Sequence, residues 1–197
     1  MQTDSKIDAL TGLGNRYSFN EFISKLSSDN RGGIHLPRRL KRRNPEPPVF
    51  KRKKPAESYS IAMIDMDHFK EINDTLGHLE GDNALRDMAG IIRNCARHSD
   101  FAARYGGDEF ILAARAEYDI TSLLGRIQSA IDELNAKNIR PYKLQISYGY
   151  DVYTMNSGAS ITDFLKHVDS LMYKHKNERR RSSDREQGRE KNAAILS

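Results

Sequence analysis

Cysteine is nearly absent from this chain of 197 residues, and long apolar runs are absent altogether. The single thiol, Cys95, excludes an intrachain disulfide and fits a reducing compartment. Its apolar neighbours at helical spacing favour a packing role over a nucleophilic one. No apolar run approaches the length of a membrane span, and we expect no signal peptide. We therefore expect a cytoplasmic domain, with any membrane attachment made through regions outside this chain.

The net charge of +5 is distributed unevenly. Residues 31–54 contain ten Lys and Arg and a single acid, Glu46, so the rest of the chain is slightly acidic. This segment also breaks the hydrophobic periodicity and is rich in proline. We predict a disordered basic insert over residues 29–57 and no nucleic acid binding by the domain as a whole. The insert is either a solvated loop without a role or an attractor for an anionic membrane, nucleic acid or protein.

Hydrophobic periodicity predicts helices that alternate with short strands in a single domain. Apolar residues at helical spacing predict helices over residues 15–28, 81–97, 120–138 and 161–176. Alternating or continuous apolar runs predict strands over residues 59–66 and 144–150, and a β-hairpin over residues 101–105 and 109–114. We expect residues 1–181 to form the domain and residues 182–197 to form a polar tail, with fraying from Asn177 onward. This order predicts an α+β fold with a mixed sheet flanked by helices.

A pair of glycines followed by two carboxylates is the most informative motif of the chain. It reads Arg104-Tyr105-Gly106-Gly107-Asp108-Glu109-Phe110. Gly-Gly suits the two-residue turn of a hairpin, where positive φ is needed, so the hairpin would present Asp108 and Glu109 near its tip. By itself, this motif is more typical of an exposed acidic turn than of a functional site.

Two further motifs give the glycine pair its significance. The strand predicted over residues 59–66 ends in Asp65-Met66-Asp67-His68-Phe69-Lys70-Glu71-Ile72-Asn73-Asp74. The chain opens with Asp8-Ala9-Leu10-Thr11-Gly12-Leu13-Gly14-Asn15-Arg16. Together the motifs resemble those of the GGDEF domain, the family of diguanylate cyclases, over about residues 8–181. The resemblance implies a ferredoxin-like sandwich of the nucleotidyl-cyclase, palm-like type, whose β-hairpin carries the Gly-Gly-Asp-Glu motif.

The two acidic motifs predict a metal site. Asp65 would end one strand where Asp108 starts its neighbour, and two hard oxygen ligands suit Mg²⁺ or Mn²⁺. The resemblance implies that Asp65, Asp108 and the backbone carbonyl of Met66 hold the metal. It also implies that Glu109 helps to deprotonate an attacking 3′-hydroxyl. For Asp67, orienting the loop and taking a direct part in catalysis are both open.

The same resemblance implies a set of phosphate contacts. The turn amides of His68 and Phe69 would donate to phosphate oxygens, and Lys70 lies next to them in sequence. Lys176 and Arg180 match phosphate contacts that follow the last helix in the family.

The chain departs from the family after that helix. The family usually reads Lys-x-x-Gly-Arg-Asn there, whereas this chain has Arg179 and Arg181 in place of glycine and asparagine. Arg179 does not adopt positive φ as easily as glycine does. Arg180 is therefore either a phosphate contact or part of a basic helix end that the helix dipole favours.

Two groups of residues are implied to recognise guanine. In the substrate site these are Asn73 and Asp82, because a carboxylate can accept from both guanine N1–H and the N2 amine. Asp82 also follows a glycine at a predicted helix start, so an N-cap is the alternative. Arg97 and Asp100 match an inhibitory Arg-x-x-Asp motif that binds the product, and Arg126 matches the arginine that completes that site. Arginine can fork onto phosphate or the guanine Hoogsteen edge.

The resemblance as a whole implies a diguanylate cyclase that condenses two GTP into cyclic di-GMP and releases two pyrophosphates. It implies a homodimer of half-sites, inhibition by cyclic di-GMP, and an upstream regulatory domain in the longer protein. The alternatives are a catalytically silent GGDEF domain that binds GTP or cyclic di-GMP, a cyclase of altered base preference, and a nucleic-acid-binding module carried by the insert.

Overall fold

A computed structural model describes residues 5–29, 57–155 and 158–195 of the chain. Residues 30–56, which contain nearly all of the predicted basic insert, lie outside the described residues. The prediction that this segment is disordered therefore stays a prediction.

The described residues form a mixed sheet with helices on both faces. The strands are β1 (Gly14–Asn15), β2 (Ser58–Met66), β3 (Phe101–Arg104), β4 (Glu109–Arg115) and β5 (Ile146–Thr154). The helices are α1 (Arg16–Asp29), α2 (Phe69–Leu76), α3 (His78–Cys95), α4 (Ile120–Ala136) and α5 (Ile161–Ile195). The strand order is β1-β3-β4-β2-β5, and β1 pairs parallel with β3 while the other pairs are antiparallel. This architecture confirms the predicted α+β fold.

Strand β2 lies inside the sheet and separates two hydrophobic layers. Ala62 and Ile64 contribute to the layer that contains buried side chains of α2, α3 and α4, whereas Ile61 and Met63 contribute to the layer that contains those of α1 and α5. A strand that is buried on both faces has a continuous apolar sequence, which explains why this segment does not alternate. Each fully buried aliphatic side chain stabilises the fold by roughly 1.5–3 kcal/mol. The packing fixes the end of β2, where the acidic residues follow.

Three predicted boundaries are wrong. Helix α5 continues to Ile195 and does not end at Lys176. The residues beyond Lys176 contain no proline and a single glycine, and they are mostly good helix formers. Helix α3 starts at His78, so Asp82 lies within its first turns and is not an N-cap. Strand β5 covers Ile146–Thr154 and not residues 144–150.

The hairpin between β3 and β4 exists, but its turn differs from the prediction. The connection spans residues 105–108, which is longer than a two-residue turn, and neither Gly106 nor Gly107 has a positive φ. A Cβ at Gly106 would collide with the carboxylate of Glu109 in its present position, so any other residue there would require the Glu109 side chain to move. The turn is instead held by a side chain, since Arg104 Nη2 donates to the Gly107 carbonyl at 2.8 Å.

Candidate active site

The register of the central strands brings the predicted metal ligands to one end of the sheet. Asp65 pairs with Glu109 across β2 and β4. The next amide, Met66 N–H, donates to the Asp108 carbonyl at 3.1 Å. The segment Asp65–Met66 and the segment Asp108–Glu109 are therefore neighbours, although more than forty positions separate the two segments along the chain.

These carboxylates crowd one another. Burial raises the pKa of Asp65, an ion pair with Lys176 opposes that shift, and the negative charges of Asp108 and Asp67 add to it. Burial also raises the pKa of Glu109, and the charges of Asp108 and Asp65 raise it further. A cation placed here would relieve this repulsion, because it would stabilise the charged form of each carboxylate.

Asp67 is held in a buried network behind the strand ends. Its side chain is 7% exposed, and Ser147 Oγ lies 2.9 Å from each of its carboxylate oxygens. Its amide donates to the Gln145 carbonyl at 2.9 Å. Lys176 Nζ and Arg179 Nε each lie 3.9 Å from a carboxylate oxygen. Of the two roles left open for Asp67, these contacts support the orientation of the loop.

The start of α2 follows directly on this loop. His68 precedes the helix in the left-handed region, with φ 60°, and its Nδ1 lies 2.9 Å from Glu71 Oε1. Phe69 and Lys70 form the first turn, and Lys70 is exposed. The first amides of a helix have no partner within it and carry partial positive charge. The predicted phosphate contacts on this segment therefore lie beside the carboxylates.

A cavity of about 530 Å³ opens between α2, α5 and residues 141–145. Three of the predicted phosphate-binding residues line it, namely His68, Lys176 and Arg180. Arg179, to which the sequence assigned no role, lines it as well. The cavity wall therefore carries a concentration of positive charge next to Asp67.

The predicted guanine contacts do not line this cavity. Asn73 and Asp82 lie where α2 meets α3, around Gly81. A Cβ at Gly81 would collide with the Asn73 amide group, and Asn73 Oδ1 lies 3.2 Å from His78 Nδ1. Asp82 is half-exposed and pairs with Arg86 at 3.8 Å. The two residues share a corner that is open to solvent, separate from the basic cavity.

The residues of the predicted product site meet at the end of α3. Asp100 Oδ2 accepts from the Arg97 amide at 2.8 Å, and Arg126 Nη2 donates to the Cys95 carbonyl at 3.1 Å. Asp100 Oδ1 is buried and has no hydrogen-bond partner among the described residues. The Arg97 guanidinium lies 4.3 Å from the centre of the Tyr118 ring, a contact that the sequence did not predict.

The opening motif of the chain has a structural role at the hairpin. Arg104 Nη1 lies 3.4 Å from both carboxylate oxygens of Asp8, while Arg104 also donates to the Gly107 carbonyl. Burial opposes ionisation of Asp8, but hydrogen bonds from Thr11 and the charge of Arg104 lower its pKa overall. Asp8 and Arg104 thus connect the N-terminal turn to the residue before Asp108.

Comparison with known proteins identifies the family. The family model described as "Diguanylate cyclase, GGDEF domain" matches residues 46–182. Diguanylate cyclase A of Treponema denticola is 36% identical over 123 residues, which are 61% of this chain and 33% of that protein. Diguanylate cyclase DgcM of Escherichia coli is 30% identical over 175 residues, which are 88% of this chain and 36% of that protein. Cyclic di-GMP phosphodiesterase NbdA of Pseudomonas aeruginosa is 30% identical over 175 residues, 87% of this chain and 19% of that protein.

Solved structures share the fold. The GGDEF domain of DgcB from Caulobacter crescentus, in complex with c-di-GMP, has a TM-score of 0.65 at 24% identity and covers 90% of this chain and 94% of its own. The GGDEF domain of PA1120 from Pseudomonas aeruginosa has a TM-score of 0.63 at 28% identity, with 87% and 89% covered. None of the helices formed by the described residues combines the length and the hydropathy needed to cross a membrane.

The chain spans less than half of the length of the curated relatives it matches, from 16% to 46%, so the activity of any whole protein is a separate matter. Its own assignment rests on a family match that covers more than half of its residues. The chain belongs to the GGDEF domain family of diguanylate cyclases.

Proposed function

We propose that this domain is a diguanylate cyclase that condenses two GTP into cyclic di-GMP and releases two pyrophosphates. The observation that carries the proposal is the meeting of Asp65 and Asp108 at adjacent strand ends, with Lys176 paired to Asp65. Phosphoryl transfer depends on positioning and on charge stabilisation, and this arrangement supplies groups for both.

A divalent cation, Mg²⁺ or Mn²⁺, fits the donor set. Asp65, Asp108 and the Met66 carbonyl would hold it, because all three supply the hard oxygens that these ions prefer. Among the described residues, no group of three or more His, Cys, Asp or Glu side chains is arranged to hold a metal ion by itself. Phosphate oxygens would therefore share the coordination. When bound, the cation neutralises charge on the reacting phosphates.

The positive groups around the carboxylates would bind the triphosphate. The amides of His68 and Phe69 lie at the positive end of α2, and Lys70 adds a charge that is exposed to solvent. Lys176 and Arg180 would approach from α5 across the cavity. Since Lys176 is paired with Asp65 in the free protein, it would turn from that carboxylate toward phosphate as nucleotide and cation bind.

Asn73 and Asp82 would select guanine in the corner between α2 and α3. A carboxylate accepts from guanine N1–H and the N2 amine, whereas adenine has an acceptor at N1 and would repel it. This argument disfavours a cyclase of altered base preference.

Glu109 would accept the proton of the 3′-hydroxyl. Glu109 pairs with Asp65 across the two strands, so its carboxylate lies beside the proposed cation site, where a 3′-hydroxyl would be placed. The 3′-oxygen forms a bond to the α-phosphorus of the other GTP, the bond from that phosphorus to the bridging oxygen breaks, and pyrophosphate leaves. Each domain would hold one GTP, so turnover requires a homodimer and specific activity should rise with enzyme concentration.

Arg97, Asp100 and Arg126 would form a second site for the product. Asp100 Oδ1 has no hydrogen-bond partner among the described residues but is buried, so Asp100 would have to turn outward to accept from guanine N–H groups, whereas the arginines suit phosphate. Binding of cyclic di-GMP between two domains would hold their active sites apart. We also propose that an upstream regulatory domain controls dimer formation in the longer protein and that the domain works in the cytoplasm, where GTP is available.

Incubation with GTP and Mg²⁺, followed by identification of the product by mass, tests the proposal. We expect cyclic di-GMP and pyrophosphate from the natural sequence and neither from Asp108→Asn. Binding of GTP or cyclic di-GMP without turnover would favour the alternative, a silent binding module. Relatives named as cyclic di-GMP phosphodiesterases show that matching segments occur in proteins that are not named cyclases.

A further inference from the structure

Polar contacts from about one and a half turns of helix α5 attach it to the ends of β2 and β5. The attachments are an ion pair between Lys176 and Asp65, a hydrogen bond from the Tyr148 amide to His175 Nδ1 at 3.1 Å, and one from Arg179 Nη1 to the Ile146 carbonyl at 2.6 Å. These contacts are made by the same stretch of helix that carries the proposed phosphate-binding cations.

Arg179 places a second positive charge, in addition to that of Lys176, beside Asp67. Its Nη1 fixes it to the Ile146 carbonyl, and its Nε lies 3.9 Å from Asp67 Oδ2. The side chain is 32% exposed, so solvent screens it only in part. Asp67 is buried among protein groups and also has Lys176 Nζ at 3.9 Å.

The charge balance around Lys176 gives Arg179 its importance. Among the described residues, Lys176 and Arg179 are the cations that pair with Asp65 and Asp67. Without Arg179, the Lys176 ammonium would face both carboxylates by itself. Movement of the Lys176 ammonium from these carboxylates to a phosphate would then cost more free energy, because a buried carboxylate that loses its partner is strongly destabilised.

We propose that Arg179 is a positioning residue that neutralises Asp67 and fixes α5 to β5, so that Lys176 can turn from its carboxylate partners to the polyphosphate of the substrate. The inference rests on the proposed function and adds a residue that the family pattern, with glycine at this place, does not supply. Arg179 acts through Lys176, and it need not touch the nucleotide itself.

Equilibrium binding to a non-hydrolysable GTP analogue and to GMP, with Mg²⁺ present, tests the inference. The variants are Arg179→Met, which keeps the length and helix propensity of the side chain, and Arg179→Lys, which keeps the charge. Arg181→Met is the matched control, because Arg181 lies on the same helix and does not line the cavity. We expect Arg179→Met to weaken analogue binding about tenfold and GMP binding by less than about twofold. Arg179→Lys should recover part of the loss, and the control should bind as the natural sequence does.

A double-mutant cycle with Lys176→Met tests whether Arg179 acts through Lys176. We expect Arg179→Met to have little further effect once Lys176 has been replaced. Unchanged analogue affinity in Arg179→Met would overturn the inference, as would an equal loss for GMP and the analogue or full additivity in the cycle. If the natural sequence binds neither nucleotide, the proposed function fails as well, which separates that outcome from the others.

Discussion

Two clusters of carboxylates and cations in this domain differ in how completely they are paired. In the first, which we call the loop clamp, Asp87 of α3 binds Arg140 and Tyr142. Arg140 donates to both oxygens of Asp87 at 2.7 Å, and Tyr142 donates its hydroxyl at 2.7 Å. Burial and the Asp87 hydrogen bond raise the pKa of Tyr142 well above its usual range. Each charged group of this cluster has a partner of good geometry.

The second cluster, at the strand ends, holds an excess of negative charge. Asp65 and Asp67 pair with the cations Lys176 and Arg179, and two of the three pairs are 3.9 Å long. Asp108 and Glu109 add negative charge beside them, and burial raises the pKa of Asp65 and of Glu109. Paired charges stabilise a fold, whereas crowded carboxylates destabilise it until a ligand relieves them. The difference agrees with a structural role for the loop clamp and with the ligand site that we propose at the strand ends.

The largest expected effect is a loss of turnover when a carboxylate of the strand-end cluster is replaced. Asp108→Asn should reduce turnover on the order of a thousandfold, because a ligand for the cation that stabilises transition-state charge is lost. The melting temperature should be unchanged or higher, since one of the crowded charges is removed. Steady-state assays and thermal unfolding by circular dichroism measure the two quantities. Near-normal turnover in this variant would remove Asp108 from the proposed site.

Substitution in the loop clamp should lower stability and leave turnover nearly unchanged. Asp87→Asn should reduce the free energy of unfolding by about 2 kcal/mol, because Arg140 loses its charged partner while partly buried. Turnover per folded molecule should stay close to that of the natural sequence. Asp132→Asn, on an exposed face of α4, is the control. If Asp87→Asn lost activity and kept its stability, the distinction between the two clusters would be wrong.

The sequence predicts the fold well and the site in part. Periodicity locates the strands because buried positions repeat at fixed intervals, and the register of β2 with β4 follows from packing on both faces. It did not predict the length of α5, since the sequence beyond Lys176 is mostly polar and has no apolar residues at helical spacing that a pattern could reveal. Arg179 and Tyr118 were missed for another reason. Asp67 lies more than a hundred positions before Arg179, and the whole hairpin of β3 and β4 lies between Arg97 and Tyr118, so local patterns carry no information on these contacts.

Substitutions at the proposed product site should have smaller effects. The effect should be larger for a residue that would contact cyclic di-GMP than for a residue that holds the contacting residue in place. Arg97→Ala should raise the concentration of cyclic di-GMP needed for half inhibition about tenfold or more, because a charged fork is lost. Tyr118→Leu should raise it roughly two- to fivefold, since the ring 4.3 Å from the Arg97 guanidinium holds that side chain in place.

Tyr17→Leu, an exposed tyrosine on α1, is the control for loss of an aromatic ring. Initial rates with added cyclic di-GMP give the inhibition, and calorimetry gives the affinity. A natural sequence that cyclic di-GMP fails to inhibit would eliminate the second site. Equal inhibition of the natural sequence and Tyr118→Leu would eliminate only the role of the ring.

The smallest expected effect is on the pH dependence of stability, and it involves His175. The uncharged His175 side chain joins the strand-end cluster to β5. Burial lowers the pKa of His175 from its ordinary value of 6.5, and Arg179 lowers it further, against smaller opposing effects of Asp67 and Glu178. Its Nδ1 accepts from the Tyr148 amide, so this nitrogen is unprotonated in the folded state. The unfolded chain therefore binds a proton more readily than the folded protein does. Stability that is present above pH 6.5 is lost as the pH falls below it.

His175→Asn removes the titration and leaves an amide oxygen that can accept from Tyr148. Between pH 7.5 and 5.5, we expect the melting temperature of the natural sequence to fall by roughly 1–3 °C more than that of the variant, a small difference because solvent screens this site. His98→Asn, at an exposed position, should behave as the natural sequence does. Parallel curves for His175→Asn and the natural sequence would show that His175 carries no titration-linked stability.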